Sequence, residues 1–236
     1  MAAEPPALVL ASASPRRRDL IAHLGLPFLA VSNDGEERTT PVPPAVLALL
    51  PDYHLDVALH PALLAWRKAQ AARDEGLAGV ILGADTIVVL DGRVLGKPRD
   101  EAHAHELLAA LSGRWHTVYT GLAALPAEGS PAGEPLFDLV RTEVELAPLS
   151  ADQIAAYVAT GEPLDKAGAY GVQGLGGRLV RDVRGSFTNV VGLPLQATFD
   201  LLERAGLAPP VPAAEAWNRW RPTLLKEGPC INPSMF

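Results

Sequence analysis

The sequence of 236 residues contains a single cysteine, Cys230, so no disulfide can form within the chain. A chain without disulfides fits a reducing compartment. No apolar run approaches the roughly 20 residues that a membrane-spanning helix requires. The start of the chain also lacks the basic region and long apolar stretch of a secretory signal. We therefore expect a cytoplasmic protein that has no membrane partner.

Positive charge is scarce as well. The chain has 20 Lys and Arg against 27 Asp and Glu, which gives a net charge of −7. Binding to nucleic acid irrespective of its sequence needs a basic surface, so we expect no nucleic-acid partner. A small anionic ligand is still compatible with this balance, because a local basic pocket can lie within an acidic protein.

Several common catalytic motifs are missing. The sequence has no G-x-x-x-x-G-K-[ST] phosphate loop and no G-x-S-x-G nucleophile turn. Its six histidines are scattered, without the spacing of zinc ligands. A phosphate-loop nucleotidase, an α/β-hydrolase and a zinc site are therefore not indicated.

The apolar pattern favours an α/β fold. Strand-like runs at 7–11, 80–90, 115–125 and 137–146 alternate with helical segments, and Asp91-Gly92 is a hairpin signal. The predicted helix starts are capped by Ser14, by Asp100 and by a capping box of Ser150 and Gln153, and residues 190–205 are predicted to hold a strand end and a helix. This alternation with a hairpin predicts a mixed sheet rather than a parallel one. We assign residues 1–206 to one domain with an insertion at about 40–60, and residues 207–236 to a Pro-rich, aperiodic tail.

The first candidate site is the turn from Ser12 to Arg17, between the first strand and a helix that begins at Pro15. Free backbone N–H groups at a helix N-terminus attract anions, and Arg16 and Arg17 add charge suited to phosphate oxygens. The alternative is a capped surface helix with solvated arginines.

The second candidate is Asp85, which interrupts an apolar strand within Gly83-Ala-Asp-Thr86. Strands that are apolar throughout are usually buried on both faces, where a carboxylate is costly unless it is paired or binds a metal. The alternative is an aspartate at a bulge next to Gly83.

Two further segments are candidates for binding. Lys97 ends the hairpin and carries a compact charge that suits a phosphate, although a solvated loop lysine is the simpler interpretation. Gln173 lies in a glycine-rich stretch at 168–177 that lets backbone approach a ligand. Its amide can both donate to and accept from a base edge, whereas the alternative for the stretch is a flexible hinge.

These segments occur in one order in a known family: the chain resembles the Maf family of septum-formation inhibitor proteins, which are nucleoside triphosphate pyrophosphatases. The resemblance covers about residues 7–206. Together and in this order the motifs are highly specific. The matching text lies at residues 8–18, 68–69, 83–88, 96–99, 111–113, 163–177 and 190–194.

The resemblance implies a Maf/ITPase-like α/β fold, with a mixed twisted sheet, flanking helices, and two lobes around a central nucleotide cleft. It implies hydrolysis of a nucleoside triphosphate to the monophosphate and pyrophosphate with a divalent cation, Mg²⁺ or Mn²⁺. It also implies a homodimer. Asp85 is similar to the family's proton acceptor and metal ligand, and Glu37 to its acidic partner at the metal. The residues similar to the family's substrate-binding set are Ser12, Arg16, Arg17, Lys68, Thr86, Lys97 and Gln173.

The resemblance also bears on substrate choice. Arg16, Thr86 and Gln173 match the subgroup that prefers dTTP and UTP, which suggests removal of canonical or modified nucleotides from the cell. Two alternatives stay open: a 7-methylguanosine triphosphate pyrophosphatase, and a non-catalytic nucleotide-binding regulator of cell division. The presence of both Glu37 and Asp85 favours an enzyme.

Overall fold

The computed structural model describes residues 7–35 and 40–226, with side chains up to residue 221. In this part of the chain, strands alternate with helices, and short 3-10 turns lie between them. The strands are β1 (Leu8–Ala11), β2 (Phe28–Val31), β3 (Val80–Leu90), β4 (Arg93–Leu95), β5 (Trp115–Leu125), β6 (Leu136–Leu146) and β7 (Val180–Arg184). The helices are α1 (Pro15–Ala22), α2 (Pro44–Ala48), α3 (Pro61–Asp74), α4 (Glu101–Leu111), α5 (Ala151–Val158), α6 (Phe187–Val191), α7 (Leu195–Arg204) and α8 (Ala213–Lys226).

The strands form one seven-stranded mixed sheet, as the sequence predicted. Its order is β2-β1-β3-β5-β6-β7, and β4 pairs with β3. Strand β1 runs parallel to both β2 and β3, whereas β3–β4 and β6–β7 are antiparallel pairs. In the β1–β3 register Ala11 lies opposite Gly83, so the turn after β1 follows directly beside the middle of β3.

Local turn chemistry explains where these elements begin and end. Ser14 caps α1 by accepting from the backbone N–H of Arg17, and Asp100 caps α4 in the same way. Ser150 and Gln153 form the predicted capping box of α5. These caps confirm the helix starts that were predicted from sequence.

The chain divides into two compact units, and it passes from one to the other within β3, β5 and β6. The first comprises Met1–Asp85, Thr120–Val140 and Gly192–Arg219; the second comprises Thr86–Tyr119, Arg141–Val191 and Trp220–Phe236. The core of the first unit lies where the buried face of α3 packs against β1, β3 and β5. A nucleotide cleft between two lobes stays a prediction. No helix in the described part is long and apolar enough to cross a membrane.

The predicted insertion at 40–60 is largely irregular, with α2 and a short turn at Val57–Leu59. Val46 is buried in the core cluster that includes Trp66. His60 is buried as well, and its Nδ1 accepts from the backbone N–H of Ala62 to cap α3. The insertion therefore packs onto the start of α3.

Two secondary-structure predictions were wrong. Helix α8 lies where an aperiodic tail was expected, because its buried residues Ala213, Ala216 and Trp220 follow a helical spacing hidden by the surrounding prolines. A strand end was predicted near Val190, but α6 covers that segment. A short apolar run fits either state, and here the Ser186 hydroxyl accepts from the Asn189 N–H at 3.2 Å at the start of the helix.

A buried histidine makes stability depend on pH. His116 on β5 lies 2.7 Å from the Tyr170 hydroxyl through Nε2, and burial lowers its pKa from 6.5 to about 4. The unfolded chain binds this proton more readily, so the stabilising contribution is complete above 6.5 and is lost as the pH falls towards 4. We expect urea unfolding to show a loss of up to about 3 kcal/mol across this range relative to His116→Gln. Parallel pH profiles for the two proteins would contradict this.

Candidate active site

The backbone of α3 lies directly on the sheet at two glycines. A Cβ atom on Gly83 of β3 would lie 2.0 Å from the carbonyl oxygen of Ala65. A Cβ atom on Gly121 of β5 would lie 2.0 Å from the backbone nitrogen of Ala62. Real Cβ atoms do not approach this closely, so any larger residue at either position would displace the helix from the strands.

This contact brings Lys68 and Asp85 together. Lys68 follows Ala65 by three residues on α3, and Asp85 follows Gly83 by two on β3, so each shares a face with its neighbour at the contact. Lys68 Nζ donates to Asp85 Oδ1 at 2.7 Å. The two side chains are only 12% and 13% exposed. Asp85 is thus a nearly buried carboxylate held by a nearly buried ammonium group, which is the pairing that such a position requires.

The segment before residue 36 is also fixed on α3. Asn33 Nδ2 donates to the carbonyl oxygen of Lys68 at 3.1 Å, and Asn33 Oδ1 accepts from the Gly35 N–H at 3.1 Å. A Cβ atom on Gly35 would lie 2.5 Å from the carbonyl oxygen of Arg67. Asn33 and Gly35 could not be singled out from the sequence, because their role depends on contact with a helix far along the chain. Glu37, the predicted second acidic residue, lies outside the described residues.

Arg17 occupies a position that the sequence did not predict. It is buried, and its Nε donates to the Gly192 carbonyl oxygen at 2.7 Å. Its Nη1 donates to the Ala84 carbonyl oxygen at 2.7 Å and to Ser12 Oγ at 3.3 Å. The guanidinium group therefore joins the β1 turn, the residue before Asp85, and the segment before α7. Its assignment to substrate binding stays a prediction beside this structural role.

The turn leads directly into the N-terminus of α1. Ser12 is buried, and its Oγ accepts from the Ser14 N–H at 3.2 Å. Pro15 begins α1, and Arg16 next to it is partly exposed. Because Ser12 lies one residue beyond Ala11 and β1 pairs with β3, the turn follows the strand next to the one that carries Asp85.

The second unit contains Thr86, Lys97 and Gln173. Lys97 is exposed after β4, and its neighbour Gly96 accepts from the Gly168 N–H at 3.0 Å. The hairpin end that carries Lys97 is thereby joined to the glycine-rich stretch that carries Gln173. Thr86 is partly buried on β3. Ala169 in the stretch has φ = 61°, a left-handed conformation that costs about 1 kcal/mol or more for a residue other than glycine.

The donor set fits a metal ion that arrives with a phosphate ligand. Within residues 7–35 and 40–226, no group of three or more His, Cys, Asp or Glu is placed to hold a metal ion. Asp85 offers a carboxylate oxygen, the hard ligand that Mg²⁺ prefers. In proteins Mg²⁺ is commonly bound by one or two carboxylates together with waters and substrate phosphates, rather than by a complete protein cage.

Comparison with known proteins identifies the family. The profile described as Maf-like protein matches residues 7–205. The chain belongs to the Maf-like family. A relative from Moorella thermoacetica, named dTTP/UTP pyrophosphatase, is 49% identical over 85% of this chain and 95% of that protein. Proteins of the same name from Anaeromyxobacter dehalogenans and Methylobacillus flagellatus are 49% and 45% identical, over 87% and 86% of this chain and 97% and 94% of theirs.

Among solved structures, a HAM1 protein from Coxiella burnetii aligns with 94% of this chain and 98% of its own. Its TM-score is 0.39 at 18% sequence identity. A likeness this loose supports no comparison of individual residues between this Maf-like chain and that protein.

The close contact between Gly83 and the backbone of α3 can be tested by substitution. We expect Gly83→Ala to lower the free energy of unfolding by about 1–3 kcal/mol, because the added methyl group overlaps the Ala65 carbonyl. Gly96→Ala is the matched control, since its Cβ would meet open space and its φ is not positive. Urea unfolding of the two variants measures the difference, and equal stabilities would contradict close contact at Gly83.

Arg17 and its neighbour Arg18 provide a second matched pair. Arg17→Lys removes donors from the Gly192 and Ala84 carbonyls while it keeps the charge, so we expect a loss of about 1–3 kcal/mol in unfolding free energy. Arg18 is exposed on the same helix, and Arg18→Lys should change stability by less than about 0.5 kcal/mol. Thermal or urea unfolding measures the stability of both variants. Equal stabilities would contradict a stabilising role for the Arg17 hydrogen bonds to Gly192 and Ala84.

Proposed function

We propose that this Maf-like protein hydrolyses nucleoside triphosphates to the monophosphate and pyrophosphate, with dTTP and UTP as its preferred substrates. The relatives of 45–49% identity that are named dTTP/UTP pyrophosphatase support this activity. The structural observation that carries the proposal is Asp85, a carboxylate on an otherwise apolar strand, held by Lys68 at 2.7 Å. A buried charged pair is a costly way to stabilise a sheet, which favours a catalytic role.

In the proposed reaction a water molecule attacks the α-phosphorus of the triphosphate. A bond forms between the water oxygen and phosphorus, the bond to the bridging oxygen between the α- and β-phosphates breaks, and pyrophosphate leaves. Asp85 accepts the proton that the water releases. Lys68 orients the Asp85 carboxylate through Oδ1 and places positive charge where negative charge develops on the phosphate oxygens.

Several positive charges and a helix dipole are proposed to bind the phosphates. The N-terminus of α1 supplies the positive end of a helix dipole next to the turn at Ser12, and Arg16 adds a guanidinium group. Lys97 is exposed and long enough to follow a flexible polyphosphate. Arg17 supports phosphate binding indirectly, because its hydrogen bond to Ser12 Oγ holds the turn in place.

A divalent cation, Mg²⁺ or Mn²⁺, belongs to the proposal. Asp85 would hold it, with Glu37 as the second carboxylate implied by the family resemblance. When bound, such an ion neutralises phosphate charge and makes a nearby water easier to deprotonate. The metal and the homodimer implied by the same resemblance are both open to direct measurement.

Base preference is proposed to come from Gln173 and Thr86, together with Arg16. The Gln173 amide can donate to and accept from the edge of uracil or thymine. A 7-methylguanosine triphosphate pyrophosphatase is the alternative, and a panel of substrates separates the two.

The activity is tested by the products formed from UTP or dTTP with Mg²⁺ in water enriched in ¹⁸O. We expect the monophosphate and pyrophosphate, with the heavy oxygen in the monophosphate, because the attack is on the α-phosphorus. Release of orthophosphate and a nucleoside diphosphate, or label in pyrophosphate, would contradict the proposal.

The role of Asp85 is tested by Asp85→Asn, which keeps the shape of the side chain but removes the proton acceptor. We expect kcat to fall by a factor of about 10²–10⁴, the usual contribution of a general base. Asp74→Asn at the end of α3 is the control and should keep wild-type turnover, because Asp74 is exposed and its carboxylate accepts from Gln70 of the same helix. Near-wild-type turnover in Asp85→Asn would remove Asp85 from the mechanism.

A further inference from the structure

The glycine-rich stretch that carries Gln173 is closed by an acidic residue that the mechanism above does not use. Glu162 begins the turn Glu162–Asp165, a short distance after α5. Its Oε2 accepts from the Leu175 N–H at 3.0 Å, and its Oε1 accepts from the Gly176 N–H at 3.0 Å. One carboxylate thus accepts from two consecutive backbone N–H groups, which begin two residues after Gln173.

Tyr157 of α5 completes this arrangement. Its hydroxyl donates to Glu162 Oε1 at 2.9 Å and accepts from the Gly171 N–H at 3.4 Å. Burial, followed by the charge of Glu162, raises the pKa of Tyr157, so the hydroxyl keeps its proton for that hydrogen bond. The stretch is therefore held on both sides of Gln173, at Gly171 by Tyr157 and at Leu175 and Gly176 by Glu162.

The backbone of the stretch closes tightly on itself. A Cβ atom on Gly176 would lie 2.4 Å from both the Gly171 carbonyl oxygen and the Tyr157 hydroxyl oxygen. Gly174 has φ = 63°, and a Cβ there would lie 3.0 Å from Glu162 Oε2. The loop backbone therefore lies in close contact with the Glu162 carboxylate and the Tyr157 hydroxyl. These contacts argue against the flexible hinge that the glycines alone allowed.

Gln173 lies between the two points at which the stretch is held. Its Oε1 is buried and accepts no hydrogen bond from any residue in the described part of the chain. A buried acceptor without a donor costs about 1–3 kcal/mol, which a ligand N–H can recover. The N3–H of uracil or thymine is such a donor, whereas N3 of cytosine is an acceptor.

We propose that Glu162 is a positioning residue for base selection: its carboxylate fixes the loop so that the Gln173 amide is held ready for the N3–H of a uracil or thymine base. The proposal rests on the proposed function, because it concerns the substrate of the same site. A carboxylate suits this role since it only accepts hydrogen bonds, and bonds to a charged acceptor are the stronger ones. A glutamine in its place would turn an amide N–H₂ towards a backbone N–H.

The test is the ratio of kcat/KM for dTTP to that for dCTP in the wild type, Glu162→Gln and Tyr157→Phe. We expect Glu162→Gln to lower this ratio by about tenfold, through a higher KM for dTTP, because a buried amide hydrogen bond then goes unmade. Tyr157→Phe removes one of three donors and should shift the ratio in the same direction by less. Glu143→Gln is the control, since the exposed Glu143 side chain pairs with that of Arg141 on the same strand and should leave the ratio unchanged.

Inhibition by inorganic tripolyphosphate separates a loss of base selection from general damage to the site, because only general damage would weaken its binding. Tripolyphosphate has no base, so its inhibition constant should stay within about twofold in Glu162→Gln if only base selection is affected. An unchanged dTTP to dCTP ratio in both Glu162→Gln and Tyr157→Phe would overturn the proposal. So would an equal weakening of tripolyphosphate and dTTP. A wild-type protein that hydrolyses neither dTTP nor UTP would instead overturn the proposed function, and the role of Glu162 with it.

Discussion

The contact between the backbone of α3 and the glycines of two strands is the constraint on which the candidate site depends. Gly83 and Gly121 have no side chain, and Ala62 and Ala65 face them from the helix, so the helix lies against the strands at backbone distance. Close packing of this kind tolerates little change in volume, and an added methyl group must move an element rather than fill a gap. The position of Lys68 on α3 relative to Asp85 on β3 is therefore closely defined.

Two cations fix the same short stretch of β3 from different elements. Lys68 on α3 holds the carboxylate of Asp85, and Arg17 on α1 holds the carbonyl oxygen of the preceding residue, Ala84. Asp85 and Thr86 are the two residues of this eleven-residue strand that are not fully buried. A catalytic group must be held to within a fraction of an ångström by partners that are themselves immobile, and both cations here are largely buried. In the second unit Glu162 and Tyr157 hold the Gln173 stretch by a similar logic.

The elements that could be predicted from sequence are those with local causes. The caps at Ser14, Asp100 and Ser150 and the Asp91-Gly92 turn are decided within a few residues, and the structure confirms them. The need for a partner at Asp85 was also predictable, because a carboxylate in an apolar strand is costly unless it is paired, and Lys68 pairs with it. Helix α8 was missed because proline content outweighed a helical spacing of three buried residues.

The partners of the site residues could not be predicted in the same way. The bond from Arg17 to Gly192 joins residues 175 positions apart, and nothing near Arg17 distinguishes it from Arg16 or Arg18. The Lys68–Asp85 pair depends on the contact between the α3 backbone and the sheet. That contact depends on two glycines, Gly83 and Gly121, which are far apart in the sequence and follow no helical or strand period. Glu162 resembled any other acidic residue at a turn until its two backbone donors were placed.

We propose that Lys68 and Asp85 act as one catalytic unit. A double-mutant cycle on kcat/KM for UTP, with Lys68→Met, Asp85→Asn and the double variant, measures their coupling directly. We expect the double variant to be about as slow as the slower single variant, because either change alone already disables the pair. Rate losses that multiply, so that the double variant shows the product of the two single effects, would contradict it.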